Sequence, residues 1–192
     1  VPEYYYQNRE SVSFLWYDNN PEMEDPYGKL YNFYTVADER NVCPTGWHVG
    51  NKEDWRNLLG YAYDQNSDGF TKNLTKFNLL KENSTNHWAT GAGVDAFGFA
   101  AMPGGQTNQI RTIKKDSYEN SSPLFSGLTE SSFWWTSTES SGMQKVTAYH
   151  ISTGNQEIRA PNNGQYYSYE TMSIDTWSKS AYYSLRCVED NE

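Results

Sequence analysis

Between Asn51 and Ala62 the apolar side chains of Trp55, Leu58, Leu59 and Ala62 fall at the i, i+3, i+4, i+7 spacing of one buried helical face. Asn51 stands where a side-chain oxygen caps a first turn, and Glu53 and Asp54 follow where negative charge complements the helix dipole. A second helix is predicted within Thr71–Glu82, with Leu74, Phe77 and Leu80 on one side. After residue 83 the texture changes. Short aromatic runs (Phe97–Phe99, Phe133–Trp135, Tyr149–Ile151 and Leu185–Val188) are separated by stretches of Gly, Ser, Asn and Thr, the pattern of short strands joined by long loops. Helices early and strands late give a loop-rich α+β domain. Upstream, Val12, Phe14 and Trp16 alternate with Ser11, Ser13 and Leu15 as in one short strand, and Leu30, Tyr31, Phe33, Tyr34 and Val36 form a strand-like run. Pro21 and Pro26 punctuate the first stretch, so residues 1–26 read as an N-terminal segment or leader strand and 27–192 as the domain.

The core of such a domain must be built largely from rings. The chain holds 16 Tyr, 8 Phe and 7 Trp among 192 residues, with a mean hydropathy of −0.86. Tyr and Trp bury a large apolar body but keep a polar tip that needs a partner or water, so some rings are expected at the surface, where they favour recognition. The net charge is −9, and the longest basic run is Lys114–Lys115, so the basic face a nucleic-acid partner needs is missing. No stretch approaches the roughly 20 apolar residues of a membrane span, which argues against insertion. The sequence starts at Val1 with no signal peptide in view and reads as a mature or trimmed chain. Its two cysteines, Cys43 and Cys187, sit in apolar surroundings. Two buried thiols and one long-range bridge fit these settings equally well; a bridge would contribute about 5 kcal/mol in the loop-entropy picture.

Six phrases occur in order: Tyr27-Gly28-Lys29-Leu30-Tyr31-Asn32-Phe33-Tyr34; Cys43-Pro44-Thr45-Gly46-Trp47-His48-Val49; Asp54-Trp55 with Leu58-Leu59; Gly98-Phe99-Ala100-Ala101-Met102-Pro103-Gly104-Gly105; Phe133-Trp134-Trp135-Thr136-Ser137-Thr138-Glu139; and Leu185-Arg186-Cys187-Val188. From about Tyr27 to Asp190 the chain resembles the Fibrobacter succinogenes major paralogous domain of secreted and surface proteins in Bacteroidetes-type bacteria. The resemblance implies a C-type-lectin-like fold related to the formylglycine-generating-enzyme group, with two helices and small antiparallel sheets carrying variable loops. It also implies that Cys43 pairs with Cys187, and with that an oxidising compartment. The chain departs from the pattern at residues 60–82, which are longer, at Gln106, where an aromatic is expected, and over Arg159–Ser180, where the fold places ligand loops.

Several constellations carry chemistry. Asp64-Gln65-Asn66-Ser67-Asp68-Gly69 reproduces the first half of a calcium loop, with oxygen ligands at Asp64, Asn66 and Asp68 and a turning glycine. Thr75 stands where the bidentate Glu belongs, and a polar turn between helices explains the same residues; calcium is thus a candidate cofactor but not a required one. The sugar-binding Glu-Pro-Asn and Gln-Pro-Asp triplets do not occur, Ala160-Pro161-Asn162 being the nearest. A thiol held in a disulfide is no nucleophile, which sets aside formylglycine chemistry. His48, His87 and His150 show neither metal-ligand spacing nor a triad phrase. Trp47, Trp134 and Trp135 read as core, strand alternation allowing only one of the Trp134–Trp135 pair to point inward.

The C-terminal stretch reads differently. Tyr166, Tyr167, Tyr169, Trp177, Tyr182 and Tyr183 crowd together among Asn162, Asn163, Gln165, Ser168, Asp175 and Ser178. Rigid aromatics among short polar residues make a paratope-like surface; a tyrosine-rich loop packed on its own domain would look the same, and Tyr182 and Tyr183 suit a sheet. The expected ligand-binding residues are Asn162, Asn163, Tyr166, Tyr167, Tyr169, Asp175 and Trp177, with loops around Gly104–Asn108 beside them. The expectation is a non-catalytic, extracellular or outer-surface adhesion domain that binds a glycan or a surface protein. Alternatives are a hypervariable receptor-binding protein of a diversity-generating system, a surface glycan hydrolase, and an assembly module at the tip of a larger surface protein.

Overall fold

The computed structural model describes residues 11–64, 76–108, 124–140, 147–159 and 166–190. Four helices are described: α1 (Glu24–Tyr27), α2 (Phe33–Val36), α3 (Lys52–Asp64) and α4 (Lys76–Leu80). Ten strands accompany them: β1 (Phe14–Leu15), β2 (Leu30–Asn32), β3 (Trp47–Val49), β4 (Gly104–Asn108), β5 (Leu124–Leu128), β6 (Phe133–Glu139), β7 (Thr147–Arg159), β8 (Tyr166–Ser178), β9 (Tyr182–Tyr183) and β10 (Cys187–Glu189). They form a five-stranded sheet ordered β1-β2-β9-β4-β5, a three-stranded sheet β6-β7-β8 and a pair β10-β3, all antiparallel. This is the α+β class expected. No helix among the described residues is long and apolar enough to cross a membrane.

The local signals at α3 are met. The Asn51 side-chain oxygen accepts from the N–H groups of Glu53 (2.7 Å) and Asp54 (3.1 Å), and the Asp54 carboxylate accepts in return from the Asn51 N–H (2.8 Å). Trp55 is buried while Leu58 packs against the same cluster from its edge. The run Leu30–Val36, by contrast, is not one strand. After Asn32 the chain turns into α2, because the Asn32 side chain accepts from the Thr35 N–H (3.1 Å) and hydroxyl (2.8 Å), a cap that overrides the β preference of Phe-Tyr-Thr-Val. The same buried side chain donates to the Ser11 carbonyl (2.7 Å) and the Ser13 hydroxyl (2.9 Å), lacing residues 11–15 onto the sheet as its edge.

Among the described residues, three buried clusters fill the interior. Phe33, Val36, Val49, Trp135, Ala181 and Tyr183 surround Cys43; Trp55, Phe77, Trp88, Ala101 and Trp134 form a second group; Leu15, Tyr17, Leu30 and Tyr182 form a third. β6 runs between the first two, so Trp135 (0% exposed) and Trp134 (5%) are both core, on opposite faces. Only one inward ring was expected. Alternation holds, but each face of the strand meets its own apolar cluster. Trp47 is 38% exposed and is not core.

Cys43 and Cys187 are bonded, with Cα atoms 5.8 Å apart, so β10 lies against β3 with Cys187 opposite Val49. Gly104–Asn108, expected as loops, is a strand inside the five-stranded sheet. Gly105 there has φ +64°, and a side chain would meet the Ser126 carbonyl at 2.5 Å, so only glycine fits this close approach.

Candidate functional site

Of the segment Arg159–Ser180, expected to carry ligand loops, Tyr166–Ser178 is a strand, and residues 160–165 lie outside the described residues. From Thr147 to Arg159 and from Tyr166 to Ser178 the chain forms a long antiparallel arm with unbroken register, from Thr147 opposite Ser178 to Arg159 opposite Tyr166, and β6 pairs with the 148–152 part of it. Ser, Thr, Asn and Glu among the rings give these residues the texture of a loop, yet their Tyr, Thr and Ile suit an extended backbone once a partner strand supplies the hydrogen bonds. The two-residue period then sorts the expected contact residues. Tyr167, Tyr169, Asp175 and Trp177 share one face of β8; Tyr166 falls on the other, with Met172, which packs against the Trp55–Trp134 cluster. Trp177 is 46% exposed. Asn162 and Asn163 lie outside the described residues.

Of the calcium candidates, Asp64 is the last residue of α3, and Asn66 and Asp68 lie outside the described residues. Among the described residues no group of three His, Cys, Asp or Glu could hold a metal ion. His150 stands opposite Asp175 in the β7–β8 ladder. His87 is hydrogen-bonded to Glu82, its Nδ1 lying 2.8 Å from Oε2, and its ring stands edge-on to that of Tyr27.

His48 is held between two carboxylates. Its Nε2 lies 3.0 Å from Asp54 Oδ2, and its Nδ1 lies 2.6 Å from Asp190 Oδ1. The bond to Asp54, then that to Asp190, lifts its pKa above the ordinary 6.5. Folding therefore gains from this histidine fully below about pH 6.5, and the gain disappears as pH rises through the raised value. The melting temperature of wild type should exceed that of His48→Gln most near about pH 5.5, and the gap should close by about pH 9. A gap independent of pH would mean that the ring contributes only packing. At 37% side-chain exposure the effect is small.

Sequence reading missed a site made from two of its own phrases. The guanidinium of Arg186 lies over the Phe99 ring, 4.5 Å from its centroid, and donates to the Phe99 carbonyl. Two clefts meet at this stack. One, of about 450 Å³, is walled by Trp55, Leu58, Phe97, Phe99 and Val188 on either side of Arg186. The other, of about 310 Å³, is more polar and lies between Lys29, Tyr31, Trp134 and Ser184. Lys29 at its rim pairs with Glu24 (3.0 Å), and burial pushes the Tyr31 hydroxyl upward in pKa. Asp95 closes the 95–100 loop by accepting from the Ala100 N–H (2.7 Å), which carries Phe97 and Phe99 to the clefts. Phe99 and Arg186 had marked the family pattern, and nothing local in either phrase signals that they meet.

The model of one protein family, described as the Fibrobacter succinogenes major domain, matches residues 2–189. No curated protein and no solved structure matches the chain.

Proposed function

The chain belongs to the Fibrobacter succinogenes major domain family, and we propose that it is an extracytoplasmic, non-catalytic recognition domain that holds a glycan against the outer face of the β7–β8 arm. One observation carries this reading: the exposed Trp177 shares a strand face with Tyr167, Tyr169 and Asp175. Tyr167 and Tyr169 are neighbours on that face and Trp177 follows beyond Thr171, Ser173 and Asp175; such rings offer flat apolar area at low entropic cost, and a carboxylate adds an acceptor for hydroxyl groups. The Cys43–Cys187 bridge supports a location outside the cytoplasm, since such bonds persist in oxidising compartments. It also withdraws both sulfurs from thiolate chemistry. A C-type-lectin-like scaffold that displays this arm is part of the same reading, and the binding needs no calcium.

A glycan array probed with and without EDTA tests this directly. The wild-type chain should give a chelator-insensitive signal, and Tyr167→Ala/Tyr169→Ala/Trp177→Ala should weaken it at least about ten-fold while the melting temperature stays within about 3 °C. Unchanged capture with a large loss of stability would mean that these rings pack on their own domain. Capture of a surface protein, with no glycan retained, would replace the glycan by a protein ligand.

A further inference from the structure

Arg186 is the starting point. Several described cations have an acidic partner: Lys29 has Glu24, Arg40 has Asp38, Arg56 has Glu53 and Lys179 has Glu139. Arg186 makes no ion pair among the described residues; it has the Phe99 carbonyl and ring, and Asp95 acts on it only through space. The residue as a whole is exposed, but packing of its head against Phe99 strips enough water to pull its pKa down. A partly desolvated cation that makes no ion pair favours an anion brought from outside. Four of its five N–H donors remain available for one.

What surrounds it defines the rest of the ligand. Leu58, Phe97, Phe99 and Val188 wall the larger cleft, and Phe97 is 36% exposed there. The polar residues of that cleft are Asp54, already engaged with His48 and Asn51, and the exposed Asn57. One guanidinium with Asp54 and Asp95 nearby suits a single negative charge; a phosphate, carrying nearly two, would leave charge uncompensated. The clefts at about 450 Å³ and 310 Å³ are each of the size that holds a small molecule or a side chain.

We propose that the cleft between α3 and the Phe97–Phe99 loop binds a carboxylate attached to an apolar body, with Arg186 taking the carboxylate and Leu58, Phe97 and Phe99 the body. This site is separate from the arm face proposed for glycans, so either can fail alone. The same chemistry is offered by a free aryl-alkyl acid and by the C-terminus of a peptide that ends in an apolar residue.

Calorimetric titration of the full chain with 3-phenylpropionate, with its amide, and with an acetylated tripeptide ending in a free phenylalanine carboxylate tests the proposal. Saturable binding is expected for the acids, and the amide should bind about ten- to a hundred-fold more weakly, the usual range for a lost charge-assisted bond. Arg186→Gln should weaken the acids to the level of the amide. Because that variant could also disturb the Phe99 loop, Asn57→Trp provides a second arm: Asn57 is exposed, so the added ring fills the cleft from its rim without entering the core. It should abolish binding at an unchanged melting temperature. Tighter binding of the tripeptide than of phenylpropionate identifies a peptide terminus as the source, and the reverse order a free acid. Absence of saturable binding by either acid, equal binding of the amide, or full binding by Asn57→Trp would overturn the site.

Discussion

Removing the Cys43–Cys187 bridge by Cys43→Ser/Cys187→Ser should cost this domain about 5 kcal/mol, since the bond spans 144 positions and forbids the unfolded chain its most extended states. At about 2–4 °C per kcal/mol for a chain of this size, the melting temperature should fall by about 10–20 °C. The loss is not confined to the unfolded side. Cys43 is buried beside Val49, Trp135 and Tyr183, and the bond holds β10 in register with β3, so two small polar hydroxyls would replace sulfur inside an apolar cluster. Thermal melts of the wild type with and without a reductant, beside the double variant, measure both effects. A shift of only 1–2 °C would mean that the sheet holds the ends without the bridge. Reduction that matches the double variant would assign the loss to the bond itself rather than to the substituted side chains.

Trp135→Ala should produce a loss of similar size by a different route. The ring is fully buried and lies 4.5 Å from Tyr183 and 5.4 Å from Phe33, centroid to centroid. Its indole N–H donates to the Tyr31 carbonyl at 2.7 Å, tying β6 to β2 across two sheets. Truncation leaves a cavity among rings, which costs about 3–5 kcal/mol, and it removes the hydrogen bond to the Tyr31 carbonyl, which adds to the loss. Trp135→Phe keeps most of the volume and should recover part of the stability but not the share due to that carbonyl. Denaturant unfolding at constant m-value is the measurement. Trp177→Ala is the internal control, since its ring is 46% exposed and its removal should change stability by less than about 0.5 kcal/mol. A Trp135 variant as mild as that control would show that the first cluster repacks freely.

Where the sequence was legible, the signal was local. α3 follows from a cap, two acidic residues and a four-point apolar stripe within one short window, and the early-helix, late-strand division follows from composition alone. Where it was not, the deciding partner lay elsewhere in the chain. Tyr166–Ser178 became a strand because Thr147–Arg159 pairs with every residue of it, which no inspection of its own polar texture reveals. Trp134 and Trp135 are both inside because two clusters, assembled from distant segments, flank β6. Asn32 reversed the expected strand by capping a single turn. The Phe99–Arg186 stack joins residues 87 positions apart, so its clefts are a property of tertiary structure alone. The residues of the proposed glycan face were found by their composition, but only the ladder separated Tyr166 from Tyr167.

The strand that carries both tryptophans is also a constraint on change. Its backbone is fixed on one side by Trp135 N–H donating to the Ser184 carbonyl and Ser184 N–H donating to the Phe133 carbonyl, each at 3.0 Å. A substitution that enlarges the Phe99–Trp134 side must move the peptide on which Trp135 is seated, and one that relaxes the cysteine side must move Trp134. Evolution or design can therefore not tune the Phe99–Trp134 group and the disulfide-facing group one at a time; energies of paired substitutions across this strand will deviate from their sum.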